Sequence, residues 1–223
     1  MPAAPDAADD RLHDALTEGG FAARMARLGP FGTPPRLACG VSGGADSMAL
    51  ALLAASWARR RGGDLLALIV DHGLRPEAAE EARAAAARLA AQGIPSRLLT
   101  LTGLHAGPAK AARARDARLS ALAAACAEAG RTDLLLAHHA ADQAETLMMR
   151  ALAASGADGL AGIAALRHLH GIRLLRPLLD VPPAALRDCL RRRGVAWSDD
   201  PSNADPAALR ARLRGVAVGG VAA

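Results

Sequence analysis

Short aliphatic runs alternate with amphipathic segments through the middle of the chain. The aliphatic runs contain few polar positions, which is typical of strands buried on both faces. They are RLACGV at 36–41, LLALIVD at 65–71, SRLLTL at 96–101 and DLLLAH at 133–138. Segments with helical periodicity follow them, at about 45–61, 76–92, 110–129 and 141–153. The pattern predicts a succession of β-α units.

Buried strands separated by helices predict a parallel sheet with helices on both faces, joined by right-handed crossovers. The predicted fold class is therefore α/β, a doubly wound, Rossmann-like sheet. Ligands of such sheets bind beyond the carboxyl ends of the strands. The polar sequences VSGG, DHG and HHAAD all fall at such ends, so we expect them to converge on one edge.

The outer parts of the chain follow a different pattern. Residues 1–35 are predicted to form an extension with a weakly amphipathic stretch around 12–28, and residues 36–165 the α/β domain. After SGADGLAG the alternation stops, and a helix is predicted at 182–193 within a basic segment, 166–223. Residues 161–223 hold ten arginines against five aspartates, whereas residues 1–160 balance at 17 and 17. This asymmetry suits a polyanionic partner or a solvated basic helix.

Three widely spaced cysteines, Cys39, Cys126 and Cys189, form no CxxC pair, so neither a disulfide framework nor a zinc site is indicated. The start of the chain carries acids where a signal peptide needs bases, and LLALIV cannot span a bilayer. We expect a cytoplasmic protein without a membrane partner.

Ser42, Gly43 and Gly44 lie where a strand turns into a helix, so backbone N–H groups and the helix terminus can face an anion. The sequence is neither GxxxxGK[ST] nor GxGxxG. Asp46 would repel a polyphosphate unless a divalent cation such as Mg²⁺ lay between them. Alternatively, Asp46 simply caps the helix. With Ala45 and Ser47, the sequence SGGxDS resembles the pyrophosphatase loop of the N-type ATP pyrophosphatases.

Two further motifs accompany this loop. Asp71 and His72, in VDHGLR, belong to a nucleotide-edge loop or to a simple turn. Arg115 and Arg118, in ARDARL, are three residues apart on one helix face, where they grip a phosphate or an adenylate, or remain solvated.

The segment AHHAADQAETLMMR at 137–150 carries the second polar cluster. His138, Asp142 and Glu145 follow helical spacing and are expected to face one site. A zinc site and helix capping by Asp142 are the alternatives. Together with VDHGLRP before it, and SGADGLAG, RPLL and DPSNADPAALRARLR after it in this order, the segment makes the chain resemble the tRNA(Ile)-lysidine synthetase family over about residues 36–214.

This resemblance implies that ATP activates O2 of the wobble cytidine of a tRNA(Ile) with a CAU anticodon, and that L-lysine then displaces AMP. Such an enzyme is a carbon–nitrogen ligase with ATP as co-substrate and Mg²⁺ as cofactor. The implied roles are pyrophosphate binding by residues 42–47 with Asp71 and His72, metal binding by Asp46, and catalysis by Asp46, Asp142 and Arg115. The implied tRNA contacts are Arg118, Arg210, Arg212 and Arg214.

The chain departs from the family pattern at Leu119, Ala153, Ala154 and Ala208, and we expect a further carboxyl-terminal domain to be absent. These departures put the grip on the tRNA in doubt more than ATP binding. Two alternatives stay open: a tRNA 2-thiolation enzyme, which usually needs paired cysteines, and a noncatalytic nucleotide- or RNA-binding module. The sequence also leaves open whether the chain forms a homodimer.

Overall fold

The computed structural model describes residues 16–71, 76–101, 110–152 and 161–198. Its helices are α1 (Glu18–Leu28), α2 (Ala45–Arg59), α3 (Pro76–Ala91), α4 (Lys110–Glu128), α5 (Ala140–Leu152) and α6 (Pro183–Arg192). Its strands are β1 (Arg36–Val41), β2 (Asp64–Asp71), β3 (Ser96–Thr100), β4 (Asp133–Leu135), β5 (Leu166–Leu169) and β6 (Ile172–Leu175).

The strands form one sheet in the order β3-β2-β1-β4-β6-β5. All neighbouring pairs are parallel except β5 with β6, which are antiparallel. The strand order reverses between β1 and β4, which places the topological switch point of a doubly wound sheet between these two neighbours. The predicted α/β fold class is confirmed.

Each face of the sheet has its own apolar core, because alternate residues of a strand point to opposite faces. Leu37 and Cys39 of β1 pack with buried residues of α1, α2, α3 and α6. Ala38 lies on the other face, with Leu122 and Cys126 of α4. Helix α2 is buried along nearly its whole length, and its small alanines let it lie close to the sheet.

The chain ahead of β1 is packed from Leu16 onward. Phe21 and Met25 of α1 are fully buried, and each stabilises the fold by about 2 kcal/mol through burial of apolar surface. Arg24 on the same helix pairs with both carboxylate oxygens of Asp180, at 3.1 and 2.9 Å. Residues 1–15 of the predicted extension lie outside the described residues.

The four predicted strands and the helices between them are confirmed, with ends shifted by a few residues. The β5–β6 hairpin is an element that the sequence analysis does not predict. Its two-residue turn, His170–Gly171, has positive φ at both positions, 49° and 79°, as a type I′ turn requires. The sheet thus continues past residue 165, where we expect the α/β domain to end. Among the described helices, none is long and apolar enough to cross a bilayer.

Candidate nucleotide-binding site

The polar sequences after β1 and β4 meet at the switch point of the sheet. The two strands are hydrogen-bonded neighbours, so the loops that leave their carboxyl ends lie side by side. His139, just before α5, comes within 3.3 Å of Asp46 on the first turn of α2, measured from Nε2 to Oδ2. The expected convergence is therefore seen for these two motifs.

The nucleotide loop, residues 42–47, is a tight turn stabilised from within. Gly43 has φ of 85°, and a Cβ atom at this position would lie 3.3 Å from the Cβ of Ala85 on α3. The Ser47 hydroxyl donates to the Gly44 carbonyl at 3.0 Å and accepts from the Ser42 N–H at 3.1 Å. Ser47 is thus buried as a brace of the loop, and its phosphate contact stays a prediction.

The first turn of α2 is suited to an anion. Gly44 is its N-cap and, within the described part of the chain, no side chain caps it. The N–H groups at the start of a helix have no partner inside the helix and carry the positive end of its dipole. The loop therefore presents backbone donors at the carboxyl edge of the sheet, as a polyphosphate needs.

We call Asp46, His139 and Asp142 the carboxylate cluster. The Asp142 Oδ2 atom lies 3.5 Å from His139 Nδ1 and accepts the His139 backbone N–H at 2.9 Å. Asp142 therefore does cap α5, as one of the alternatives has it, and the same contact holds its carboxylate beside His139 and, through that ring, near Asp46. Its catalytic role stays a prediction.

The residues of this cluster fit a magnesium ion in part. The Asp46 Oδ1 atom is buried and makes no hydrogen bond to any residue that the structure describes. A desolvated carboxylate oxygen beside a helix terminus that favours anions is suited to a hard cation bridging to phosphate. Magnesium usually takes one or two carboxylates and completes its shell with phosphate oxygens and water, so Asp46 fits as its protein ligand. The Asp142 carboxylate is separated from Asp46 by the His139 ring.

Three arginines surround His138, and we call Arg115, Arg118 and Arg176 the arginine cluster. Arg176 is 7% exposed, donates from Nε to His138 Nδ1 at 3.2 Å and from Nη1 to the Ala164 carbonyl at 2.8 Å. Burial, together with the charge of Arg115, lowers the pKa of Arg118. Burial and the charges of Arg167 and Arg115 lower the pKa of Arg176. Cations held close together against their mutual repulsion are suited to bind an anion.

The buried, positively charged surroundings of His138 change its pKa. Burial, and then the charge of Arg176, lower its pKa to about 4, although Asp142 acts in the opposite direction. The ring is therefore neutral near pH 7, and its Nδ1 atom can accept the hydrogen bond from Arg176.

Gln143 on α5 ties the chain after the fifth helix to the site. Its amide donates to the Ile163 carbonyl at 2.9 Å and accepts the Ile163 N–H at 2.6 Å. A Cβ atom at Gly162 would lie only 2.4 Å from the Gln143 oxygen, so a larger residue there would displace the amide. The pairing positions the next two residues, Ala164 and Ala165, whose carbonyls accept hydrogen bonds from the side chain and the backbone N–H of Arg176.

Some of the remaining predicted site residues lie within the part of the chain that the structure describes, and others lie outside it. Asp71 ends β2 and is half-buried at the same edge of the sheet. His72, Arg210, Arg212 and Arg214 lie outside the described residues, so their roles stay predictions. Buried Glu145 lies on α5, and its place at the site stays a prediction.

Sequence reasoning gave no role to His139, Arg176 or Gln143. All three lie inside the motifs HHAADQAET and RPLL, so the motifs do indicate the part of the chain in which further site residues are found. Only the fold shows that His139, and not His138, lies between the two carboxylates.

The structure does not support sulfur transfer by the cysteines or a zinc site at the HHAAD segment. Burial raises the pKa of Cys39 to about 12 and that of Cys126 to about 11, and the buried Cys189 also has a raised pKa. Thiols of this kind are poor nucleophiles and poor sulfur carriers. Within the ranges that the structure covers, no group of three or more His, Cys, Asp and Glu side chains has a geometry that could hold a metal ion by itself.

Comparison with known proteins supports the nucleotide-loop interpretation. Residues 20–218 match the PP-loop domain family. The chain is 47% identical to a tRNA(Ile)-lysidine synthase of Bradyrhizobium diazoefficiens over 81% of its length, and 46% identical to that of Rhodopseudomonas palustris, also over 81%. The resemblance to lysidine synthetases is confirmed.

The chain spans about half the length of these relatives, 50% and 53%. Among solved structures, the U34-tRNA thiolase NcsA of Methanococcus maripaludis is similar in fold, with a TM-score of 0.75 and 18% identity over 92% of this chain and 73% of that one. At that identity the likeness extends to the fold alone. The match over residues 20–218 and the loop at the switch point together show that this chain belongs to the PP-loop family of ATP-binding domains.

Proposed function

We propose that the chain ligates L-lysine to C2 of the wobble cytidine of a tRNA(Ile) with a CAU anticodon, releasing AMP and pyrophosphate. The observation that carries this proposal is the pairing of the carboxylate cluster with the arginine cluster at one edge of the sheet. His139 contacts Asp46 and Asp142, and the preceding residue, His138, contacts Arg176. Similarity to lysidine synthases over most of the chain supports these substrates.

The first step requires the α phosphate of ATP to be attacked by the cytidine oxygen while pyrophosphate leaves. The backbone donors of residues 42–45 would bind the leaving pyrophosphate, because the glycines allow close approach of the main chain. Asp46 would hold Mg²⁺, which when bound neutralises phosphate charge, and Asp142 would supply a second carboxylate beside His139. These assignments use the buried Asp46 Oδ1 atom and the position of the Asp142 carboxylate.

The second step requires the amine of lysine to displace AMP from C2. Arg115 would neutralise the adenylate as its negative charge grows, and Arg176 would support it from the buried side of the cluster. Neutral His138 orients Arg176 by accepting its Nε–H. Adenylation matters because an amide-like oxygen leaves poorly, whereas a phosphate ester leaves readily.

The tRNA itself would be held by charge. Arg118 lies in the arginine cluster, and Arg210, Arg212 and Arg214 follow in the basic last part of the sequence. Such contacts to phosphate position an RNA without reading its bases. We place the reaction in the cytoplasm, where the three free thiols would stay reduced. Whether the chain acts as a homodimer remains a prediction.

The proposal is tested with radiolabelled lysine, ATP and Mg²⁺ together with a tRNA(Ile) transcript bearing a CAU anticodon. We expect label in the tRNA and lysine-dependent formation of AMP. The matched control is the same transcript with a GAU anticodon, which lacks the wobble cytidine and should stay unlabelled. ATP binding without AMP release would instead indicate a noncatalytic nucleotide-binding module.

A further inference from the structure

Ser198 connects the nucleotide loop to the chain that follows α6. Its backbone N–H donates to the Gly43 carbonyl at 2.9 Å. Its hydroxyl accepts from Nη1 of Arg88, on α3, at 2.8 Å. These three residues, distant in sequence, therefore form a continuous series of hydrogen bonds, which we call the Arg88–Ser198–Gly43 latch.

The latch acts on the most constrained part of the loop. A trans peptide is planar, so its carbonyl and N–H point in opposite directions. Holding the Gly43 carbonyl therefore fixes the direction of the Gly44 N–H, which belongs to the same peptide. The Ser198 carbonyl also lies beside Gly44, since a Cβ atom there would be 3.8 Å from it. Ser198 thus packs against both glycines of the loop.

The segment 195–198 is itself firmly attached to the domain. Val195 is 6% exposed, and its N–H donates to the Leu190 carbonyl at 3.1 Å. Trp197 packs against the core beneath α2, with the Arg191 guanidinium 6.0 Å from its ring centre. Ser198 is therefore presented to the loop by a packed support.

We propose that Arg88 and Ser198 are positioning residues for the nucleotide loop. The guanidinium of Arg88 fixes Ser198, and the Ser198 N–H fixes the Gly43–Gly44 peptide. The one donor of this peptide, the Gly44 N–H, is thereby held within the loop, where its long contact of 3.5 Å to Ser42 Oγ would give way to the polyphosphate of ATP. The inference rests only on the nucleotide-binding part of the proposed function. Neither residue belongs to the SGGxDS motif, and Arg88 acts through Ser198 without contacting the nucleotide.

The test measures the Kd for ATP with Mg²⁺ by isothermal titration calorimetry, in the absence of RNA. Arg88→Met should raise this Kd by about tenfold, the loss expected when a charge-assisted hydrogen bond that orders a site is removed. Ser198→Ala keeps the N–H but removes the acceptor through which Arg88 acts, so a rise of about the same size is expected. Arg83→Met, at an exposed arginine of the same helix, is the matched control and should leave the Kd unchanged.

The double variant Arg88→Met with Ser198→Ala distinguishes an indirect role from a direct one. If Arg88 acts through Ser198, the double variant binds ATP no more weakly than Arg88→Met alone. Multiplying losses would overturn the proposal, because they would mean that Arg88 contacts the phosphates itself. Ser198→Thr, which retains both the N–H and the hydroxyl, should bind ATP like the wild type.

Thermal unfolding and the wild-type control separate the remaining outcomes. The melting temperatures of Arg88→Met and Arg83→Met should agree, so that weakened ATP binding in the first reports the loop and not the stability of the fold. If Arg88→Met melts at so low a temperature that partial unfolding explains its whole loss of ATP affinity, the positioning role is contradicted. Normal ATP binding by every latch variant would overturn this proposal and leave the proposed function intact, whereas a wild-type chain that fails to bind ATP would overturn both.

Discussion

The carboxylate cluster and the arginine cluster are neighbours at one edge of the sheet, but they are built for opposite charges. In the first, His139 lies between the carboxylates of Asp46 and Asp142. In the second, Arg176 holds neutral His138 among like-charged guanidinium groups. Two adjacent histidines thus serve two different electrostatic environments.

The two clusters suit different parts of the proposed reaction. The carboxylates need a cation before they tolerate phosphate, whereas the arginines tolerate an anion directly. Damage to the first cluster should therefore stop the chemistry of ATP, and damage to the second should act on the RNA-dependent step. The predictions below test that division.

The largest effect is expected for Asp46→Asn. The amide keeps the shape of the side chain but removes the negative charge that would hold the metal, so we expect turnover to fall by about a thousandfold or more. The melting temperature should change little, because one carboxylate oxygen makes no hydrogen bond to the described residues. Steady-state AMP release is the measurement, with Asp188→Asn on α6 as control. Near wild-type rates at saturating magnesium would refute the metal role.

Arg115→Gln should lower the tRNA-dependent rate by about ten- to a hundredfold, because one of the charges that neutralise the adenylate is lost. The Kd for ATP alone should stay within about twofold of wild type, since loop contacts bind the pyrophosphate. Single-turnover lysine transfer and calorimetry measure the two quantities, and Arg187→Gln, at an exposed position of α6, serves as control. If Arg115→Gln lowered the rate of lysine transfer and the affinity for ATP by the same factor, the two clusters would not have separate roles.

Acid should destabilise the arginine cluster through His138. Its pKa is about 4 in the folded chain against an ordinary 6.5, so between these pH values the unfolded chain binds more protons than the folded one. Stability is therefore retained above pH 6.5 and lost as the pH falls toward 4, by up to about 3 kcal/mol at about 1.4 kcal/mol per pH unit.

Chemical denaturation at pH 7 and pH 4.5 measures this loss. His138→Gln keeps a hydrogen-bond acceptor for Arg176 but does not titrate, so its stability should fall less between the two pH values than that of the wild type. His168→Gln, at an exposed histidine of β5, should behave like the wild type. Identical pH dependence in all three proteins would show that His138 is not held neutral by its surroundings.

The smallest effect on activity is expected when Cys39, Cys126 and Cys189 are all replaced by alanine. The thiols are buried and the pKa of each is raised, so lysine transfer should stay within about twofold of wild type. Each replacement costs about 1 kcal/mol of stability, because it leaves a small cavity. Loss of activity without loss of fold would revive a sulfur-transfer function.

The sequence predicted the parallel core well because its strands are buried on both faces. RLACGV and LLALIVD contain a continuous aliphatic pattern that few other structures produce. The hairpin was missed because β5, LRHL, is an exposed edge strand with polar side chains, and its only signal was the His170–Gly171 turn. Local pattern is informative where burial is two-sided and weak where it is not.

For the site, the sequence placed Asp46 and Asp142 at strand ends but could not choose between catalysis and capping. Asp142 is a cap and also lies against His139, so the alternatives do not exclude each other. The latch was beyond prediction, because Arg88 and Ser198 are brought together only by the packing of α3 against the segment after α6.

We propose that this edge of the sheet cleaves ATP between its α and β phosphates, and does so in response to the tRNA and to lysine. ATP labelled at the γ phosphate, incubated with the chain, Mg²⁺, lysine and the CAU transcript, tests it most directly. We predict that the label appears in pyrophosphate, in equal amount to AMP, and only when the transcript and lysine are both present over many turnovers. Label released as orthophosphate, or pyrophosphate release indifferent to the transcript, would contradict the account.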